Sequence, residues 1–133
     1  MVFVLDACAL IAFLRREPGA DLVRDLLRDP NNACQVHAIN LCEVYYDIMR
    51  VAGEAPAQAS LADLNSVGLI VREDMDSRFW QEAGKLKARG RLSLADCFAV
   101  ALTNRVGGEL ITSDHREFDP VAAGGICPVR FFR

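Results

Sequence analysis

Val2-Phe3-Val4-Leu5-Asp6 opens the chain with four apolar residues that run directly into an acid. The run is too short for a helix and does not alternate, which is the pattern of a strand buried on both faces of a parallel sheet. The flanking sequence agrees. Ala9 to Arg16 reads as a helix with its cations in the last turn, where the macrodipole favours them, and Glu17-Pro18-Gly19 breaks it. Ala20 to Arg28 makes a second helix, amphipathic through Leu22, Val23, Leu26 and Leu27. After the turn cluster Asp29-Pro30-Asn31-Asn32, Cys34 to Ile39 supplies a second strand. Asn40 then opens a helix to about Val51, and Pro56 to Val67 forms another. Leu69-Ile70-Val71 is a third strand. Asp76 caps a helix from Ser77 to Ala88, and Ser93 starts one that continues to Arg105. Leu110-Ile111-Thr112 reads as a strand ending in Ser113-Asp114. Ile126 to Phe132 suits a strand at a sheet edge, because Pro128 cannot donate to a ladder. Strands alternating with helices predict an α/β sandwich around a mostly parallel sheet, with any site at the carboxyl ends of the strands.

A chain of 133 residues, 52% hydrophobic and 25% charged, has the length and core for one domain spanning residues 1–133. It carries neither a basic leader nor a long apolar run, so the expectation is a soluble, cytoplasmic protein with no membrane partner. Its five cysteines, Cys8, Cys34, Cys42, Cys97 and Cys127, are odd in number and form no CxxC pair. That argues for reduced thiols, with Cys42 and Cys97 facing the core, and against a disulfide framework or structural zinc. Net charge is −3, so nucleic acid is not held by bulk positive charge. A phosphate-bearing substrate then requires a divalent ion or a local basic patch, and Lys85, Lys87, Arg89 and Arg91 form such a run. The same run also reads as a solvated helix face.

Four acids stand out. Asp6 and Asp114 each follow an apolar strand, and Glu43 and Asp96 lie near the starts of helices, so the topology directs all four to one sheet edge. Asp96 is the most demanding, because it sits in the otherwise apolar run Leu92-Ser93-Leu94-Ala95-Asp96-Cys97-Phe98-Ala99-Val100-Ala101-Leu102 and an unpaired buried charge is costly. Each acid also has an ordinary explanation. Glu43 follows Asn40, and Asp96 follows Ser93, at capping-box spacing; Asp6 suits a helix cap and Asp114 a turn. Together they are harder to explain away. Two carboxylates about 4 Å apart repel by about 4 kcal/mol at an effective dielectric near 20. A cluster of four calls for hard cations such as Mg²⁺ or Mn²⁺. Such a centre supports attack of water on a phosphodiester without a catalytic histidine.

The four segments Val4-Leu5-Asp6-Ala7-Cys8-Ala9-Leu10, Ile39-Asn40-Leu41-Cys42-Glu43-Val44-Tyr45, Leu92-Ser93-Leu94-Ala95-Asp96-Cys97-Phe98-Ala99 and Thr112-Ser113-Asp114-His115-Arg116-Glu117-Phe118 together resemble a PIN domain. Their order and spacing are most similar to those of the VapC toxins of toxin-antitoxin pairs. The resemblance covers essentially the whole chain. It implies a PIN-like three-layer sandwich and a Mg²⁺- or Mn²⁺-dependent endoribonuclease whose acidic, metal-holding residues correspond to Asp6, Glu43, Asp96 and Asp114. It further implies an RNA substrate, a cognate antitoxin protein that can place a basic side chain in the acidic pocket, and a homodimer. One position departs from the family: Cys8 stands where Ser or Thr is usual, replacing a hydroxyl with a weaker hydrogen-bonding thiol. Ser113 is then a candidate for supplying the hydroxyl, or only a cap. Asn40 is a candidate for orienting Glu43, contacting phosphate or capping its helix. His115 is a candidate base or a solvated loop residue, and Asp119 an outer ligand or a turn residue before Pro120.

Two other classes compare poorly. A haloacid-dehalogenase-type phosphatase wants a second Asp two residues after the first, where Cys8 stands, and a phosphorelay receiver wants paired early acids that are absent. The remaining alternative is a non-catalytic PIN module that binds RNA or a protein partner.

Overall fold

The computed structural model describes residues 1–133. Five strands, β1 (Val2–Leu5), β2 (Ala33–His37), β3 (Ile70–Arg72), β4 (Glu109–Thr112) and β5 (Val129–Phe131), form one sheet in the order β3-β2-β1-β4-β5. Every pairing is parallel, so the sheet is uniformly rather than mostly parallel. Strand order reverses between β1 and β4, where Val4 is paired with Leu110. The crevice beyond the carboxyl ends of those two strands is therefore the place for a ligand.

Seven helices complete the sandwich: α1 (Ala7–Arg15), α2 (Ala20–Arg28), α3 (Ala38–Ala52), α4 (Glu54–Ser66), α5 (Ser77–Arg89), α6 (Leu94–Val106) and α7 (His115–Ala123). Alternation along the strands divides the core in two. Phe3 and Leu5 pack with Leu10, Val23, Val44 and Leu64 from α1 to α4. Val4 and Leu110 pack with Phe79, Phe98, Leu102 and Phe118 from α5 to α7. No helix is long and apolar enough to cross a membrane.

Three expectations require correction. The helix expected to open at Asn40 opens two residues earlier, at Ala38, because His37 caps it: the Ile39 N–H donates to His37 Nδ1 at 3.1 Å. His37 Nε2 therefore carries the proton and donates to the Asp74 carbonyl at 2.9 Å, while its ring stacks on Phe79. α7 occupies a stretch for which the sequence suggests no element. It forms in spite of Pro120 because Asp114 caps it, with the Glu117 N–H donating to Asp114 Oδ1 at 3.0 Å. Cys42, expected to face the core, is exposed, whereas Cys97 is fully buried. All five thiols are free.

Candidate active site

Asp6 stands where β1 ends and α1 begins. Burial is nearly complete, at 2% exposure, and both carboxylate oxygens are engaged. Oδ1 accepts from the Ala9 N–H at 2.9 Å, which makes Asp6 the cap of α1, and Oδ2 accepts from the Thr112 hydroxyl. These bonds favour the charged form but do not offset the burial, which with the nearby Asp96 and Asp114 pushes the carboxyl up to about 7. Capping and clustering are thus one arrangement here, not competing explanations.

Thr112 is the residue that sequence reasoning passed over. Its side chain is fully buried, its hydroxyl donates to Asp6, and the same oxygen accepts from the Asp114 N–H at 3.1 Å. The polar support missing at Cys8 therefore arrives from β4. The expected substitute, Ser113, points elsewhere: its Oγ accepts from Arg133 Nη2 at 3.2 Å. Cys8 itself is half-buried, and burial together with the charges of Asp6, Asp114, Asp96 and Glu43 pushes its thiol up to about 12. Such a thiol stays protonated at neutral pH.

Asp96 lies in the first turn of α6, whose cap is Ser93; the Asp96 N–H donates to Ser93 Oγ at 3.3 Å. The capping spacing is real, yet the carboxylate also enters the cluster. Burial, first, and then Glu117, Glu43 and Asp114 push it up to about 7 against the opposing Ser93 bond. Oxygens of Asp96, Asp114 and Glu117 all lie within 4.8 Å of one another, a group able to hold a metal ion. Glu117 was not among the expected acids. Asp114 and Glu117 stand at cap and third-residue spacing directly before Phe118, and that pattern could have revealed both helix and acid.

Glu43 lies in the second turn of α3, too far from the His37 cap for a capping box, and burial raises its carboxyl. It and Asp6 fall outside the closest trio but act on it electrostatically, Glu43 on Asp96 and Asp6 beside Asp96 and Asp114. His115 is not free to act as a base. Its Nδ1 meets Asp119 and its Nε2 the Arg133 carbonyl, each at 2.9 Å, while the ring stacks on Phe131. Asp119 is accordingly committed within α7.

The donor set is entirely carboxylate oxygen, and none of Asp6, Glu43, Asp96, Asp114 or Glu117 pairs with an Arg or Lys, although eleven ion pairs occur elsewhere in the molecule. Hard divalent cations fit such a set. The architecture is that of an α/β protein with an acidic crevice at its topological switch point.

The chain belongs to the PIN domain family, whose model matches residues 3–124. No curated protein sequence matches it. Among solved structures it is similar to VapBC2 from Rickettsia felis bound to a promoter DNA fragment, with TM-score 0.77, 14% identity and 98% of each chain covered. DNA-bound VapBC from Salmonella typhimurium aligns with TM-score 0.75 and 14% identity, over 100% of this chain and 99% of that one. VapC20 from Mycobacterium tuberculosis, described as a sarcin-ricin loop cleaving toxin, aligns with TM-score 0.70 and 19% identity, over 93% of this chain and 95% of that one.

Proposed function

We propose that the protein is a Mg²⁺- or Mn²⁺-dependent endoribonuclease, the toxin of a VapBC-type toxin-antitoxin pair, with Asp6, Glu43, Asp96 and Asp114, joined by Glu117, forming its active site. The observation that carries this reading is a group of mutually repelling carboxylates, Asp6 buried and the others half-buried, with no protein cation among them. Asp96, Asp114 and Glu117 would hold one ion directly, and Asp6 and Glu43 would complete the negative field around it. A divalent ion bound there supplies positive charge for the scissile phosphate and lowers the pKa of the attacking water.

The chain's own contribution is to hold the carboxylates in place before substrate arrives. Thr112 and the Ala9 N–H fix both oxygens of Asp6, and Ser93 fixes the turn that carries Asp96. Exposed Arg89 and Arg91 lie just ahead of α6, and exposed Arg116 lies beside Asp114. None of the three is spent on an ion pair, so they are available to RNA phosphates on a protein of net negative charge. An antitoxin partner, proposed from the likeness to VapBC complexes, would find in the crevice a ready site for an Arg or Lys side chain. A cytoplasmic homodimer completes the proposal.

The test is cleavage of total cellular RNA by antitoxin-free protein with Mg²⁺, with Mn²⁺ and with a chelator, alongside Asp96→Asn. The expected result is discrete metal-dependent fragments that fall by about 100-fold or more in the variant, the scale of removing one electrostatic element of a site. Equal cleavage by Asp96→Asn would overturn the site assignment. Absence of both cleavage and Mn²⁺ binding would leave a non-catalytic PIN module.

A further inference from the structure

We infer that Asn40 is a positioning residue of the acidic site, one that ties the helix bearing Glu43 to the helix bearing Asp96. The inference starts from what Asn40 does not do. Asparagine at the start of a helix ordinarily caps it, but His37 holds that place in α3 and Asn40 sits inside the first turn. There its side chain is 0% exposed. Asparagine inside a helix and out of water has nothing to gain from propensity or hydration, so its retention calls for a specific partner.

That partner lies 55 residues along the chain. Asn40 Nδ2 donates to the Ala95 carbonyl at 3.2 Å, and because a carbonyl can only accept, the contact also fixes which end of the amide is nitrogen. Ala95 immediately precedes Asp96, and its carbonyl belongs to the peptide that supplies the Asp96 N–H. On the other side, Glu43 follows Asn40 by three residues, the spacing that places two side chains on one helix face. A single amide thus links the first turn of α6 to the face of α3 that carries Glu43. Glu43 acts electrostatically on Asp96, so their separation is one that the site has to hold against repulsion.

The other end of the amide is an independent observation. Asn40 Oδ1 is the one buried side-chain nitrogen or oxygen without a hydrogen-bond partner. A folding role alone would be served as well by an apolar residue of that size, without the orphaned acceptor. An acceptor left open beside the Asp96 peptide is instead suited to a water of the occupied site, in the way that outer hydrogen bonds orient the groups around a metal. The assignment rests on the metal-dependent reading above, and it names a residue that acts on the ligands without being one of them.

The test measures Mn²⁺ affinity of the whole protein by electron paramagnetic resonance, with RNA cleavage read in parallel. Asn40→Ala and Asn40→Ser both remove the reach to Ala95, and each is expected to weaken Mn²⁺ binding by about 10-fold or more. In cleavage, kcat should fall while KM for RNA holds. Thr103→Val is the control, since Thr103 is equally buried, lies in α6 with Asp96, and its hydroxyl donates to the Ala99 carbonyl at 2.8 Å. A purely structural deletion of this kind should leave Mn²⁺ affinity within about twofold. Affinity in both Asn40 variants equal to the parent's would overturn the positioning role while leaving the nuclease reading standing. A parent that binds no Mn²⁺ would overturn both. Loss of a cooperative melt in both Asn40 variants would make Asn40 a folding residue and overturn the proposal as well.

Discussion

Asp74 and Asp76 lie among arginines, whereas Asp6, Asp96 and Asp114 lie among one another. In the first group Arg105 reaches Asp76 at 2.6 Å and Asp74 at 3.0 Å, Arg72 reaches Asp74 at 2.9 Å, and the Arg105 guanidinium lies over the Phe79 ring. Hydrogen bonds from Arg72 and from Arg105 hold the carboxyls of Asp74 and Asp76, respectively, below the ordinary range, Asp76 at about 2. In the second group burial and mutual repulsion push Asp6 and Asp96 up to about 7. One chain therefore builds the same residue type into two opposite states. The paired group is finished as it stands and serves to fasten α5 to α6. The unpaired group has no cation of the chain beside it and could hold one from outside, and that difference sets it apart from the structural acid cluster.

The sharpest way to break this comparison is to weaken the support of the unpaired group without touching a carboxylate. Thr112→Val keeps the shape of a fully buried side chain but removes the donor to Asp6 and the acceptor of the Asp114 N–H. Mn²⁺ affinity, by calorimetry, should fall by about 10- to 100-fold, with about 1–3 kcal/mol lost from folding stability in denaturant titrations. Unchanged affinity would show that Asp6 needs no fixing.

A second experiment uses the opposite directions of titration. A carboxyl raised in the fold binds its proton more tightly there than in the unfolded chain. Asp6 and Asp96 therefore contribute stability that is complete below about pH 4 and is lost as pH rises through about 7. Asp76, depressed to about 2, contributes stability present above about pH 4 and lost as pH falls toward 2. In chelator, the parent's Tm should fall from about pH 5 to about pH 8, and Asp96→Asn should flatten that slope and melt higher at the alkaline end. Asp76→Asn should leave the slope intact and melt lower throughout. Mn²⁺ should reverse the alkaline loss in the parent and not in Asp96→Asn. If Asp96→Asn instead melts below the parent at the alkaline end, the carboxylates do not repel as argued.

How far the site was legible depended on whether a residue's role lay within its own element. Asp6 ends a continuous apolar strand, and Ser93 caps an apolar helix, so both could be read locally together with the parallel sheet they imply. Capping stood among the roles open to Asn40 because asparagine is a favoured cap and histidine is not, and only the fold shows His37 taking it. Thr112 ends a buried strand, where threonine needs no special explanation, and its partner Asp6 lies 106 residues away. Glu117 was hidden with α7, because a proline at position 120 argues against a helix there. Asp6 and Asp96 showed themselves in sequence, whereas the hold of Thr112 on Asp6 and of Asn40 on the Ala95 carbonyl did not, since those contacts run between elements.

Ser113→Ala should have the smallest effect and still separates two readings of adjacent hydroxyls. On sequence grounds Ser113 is the candidate for the hydroxyl that Cys8 lacks, and the fold puts Thr112 beside it. In the structure only Thr112 reaches an acid, and Ser113 Oγ accepts from Arg133, whose other nitrogen donates to the Pro18 carbonyl at 3.0 Å. Arg133 therefore keeps the Pro18 carbonyl and the Glu17 carboxylate when the serine hydroxyl is lost. The contact is at the surface, so stability should change by no more than about 0.5 kcal/mol. Mn²⁺ affinity and RNA cleavage, measured beside Thr112→Val, should stay at parental values. If the pair behaves the other way round, with Ser113→Ala losing the metal and Thr112→Val keeping it, the acidic site is held from the C-terminal tail rather than from β4.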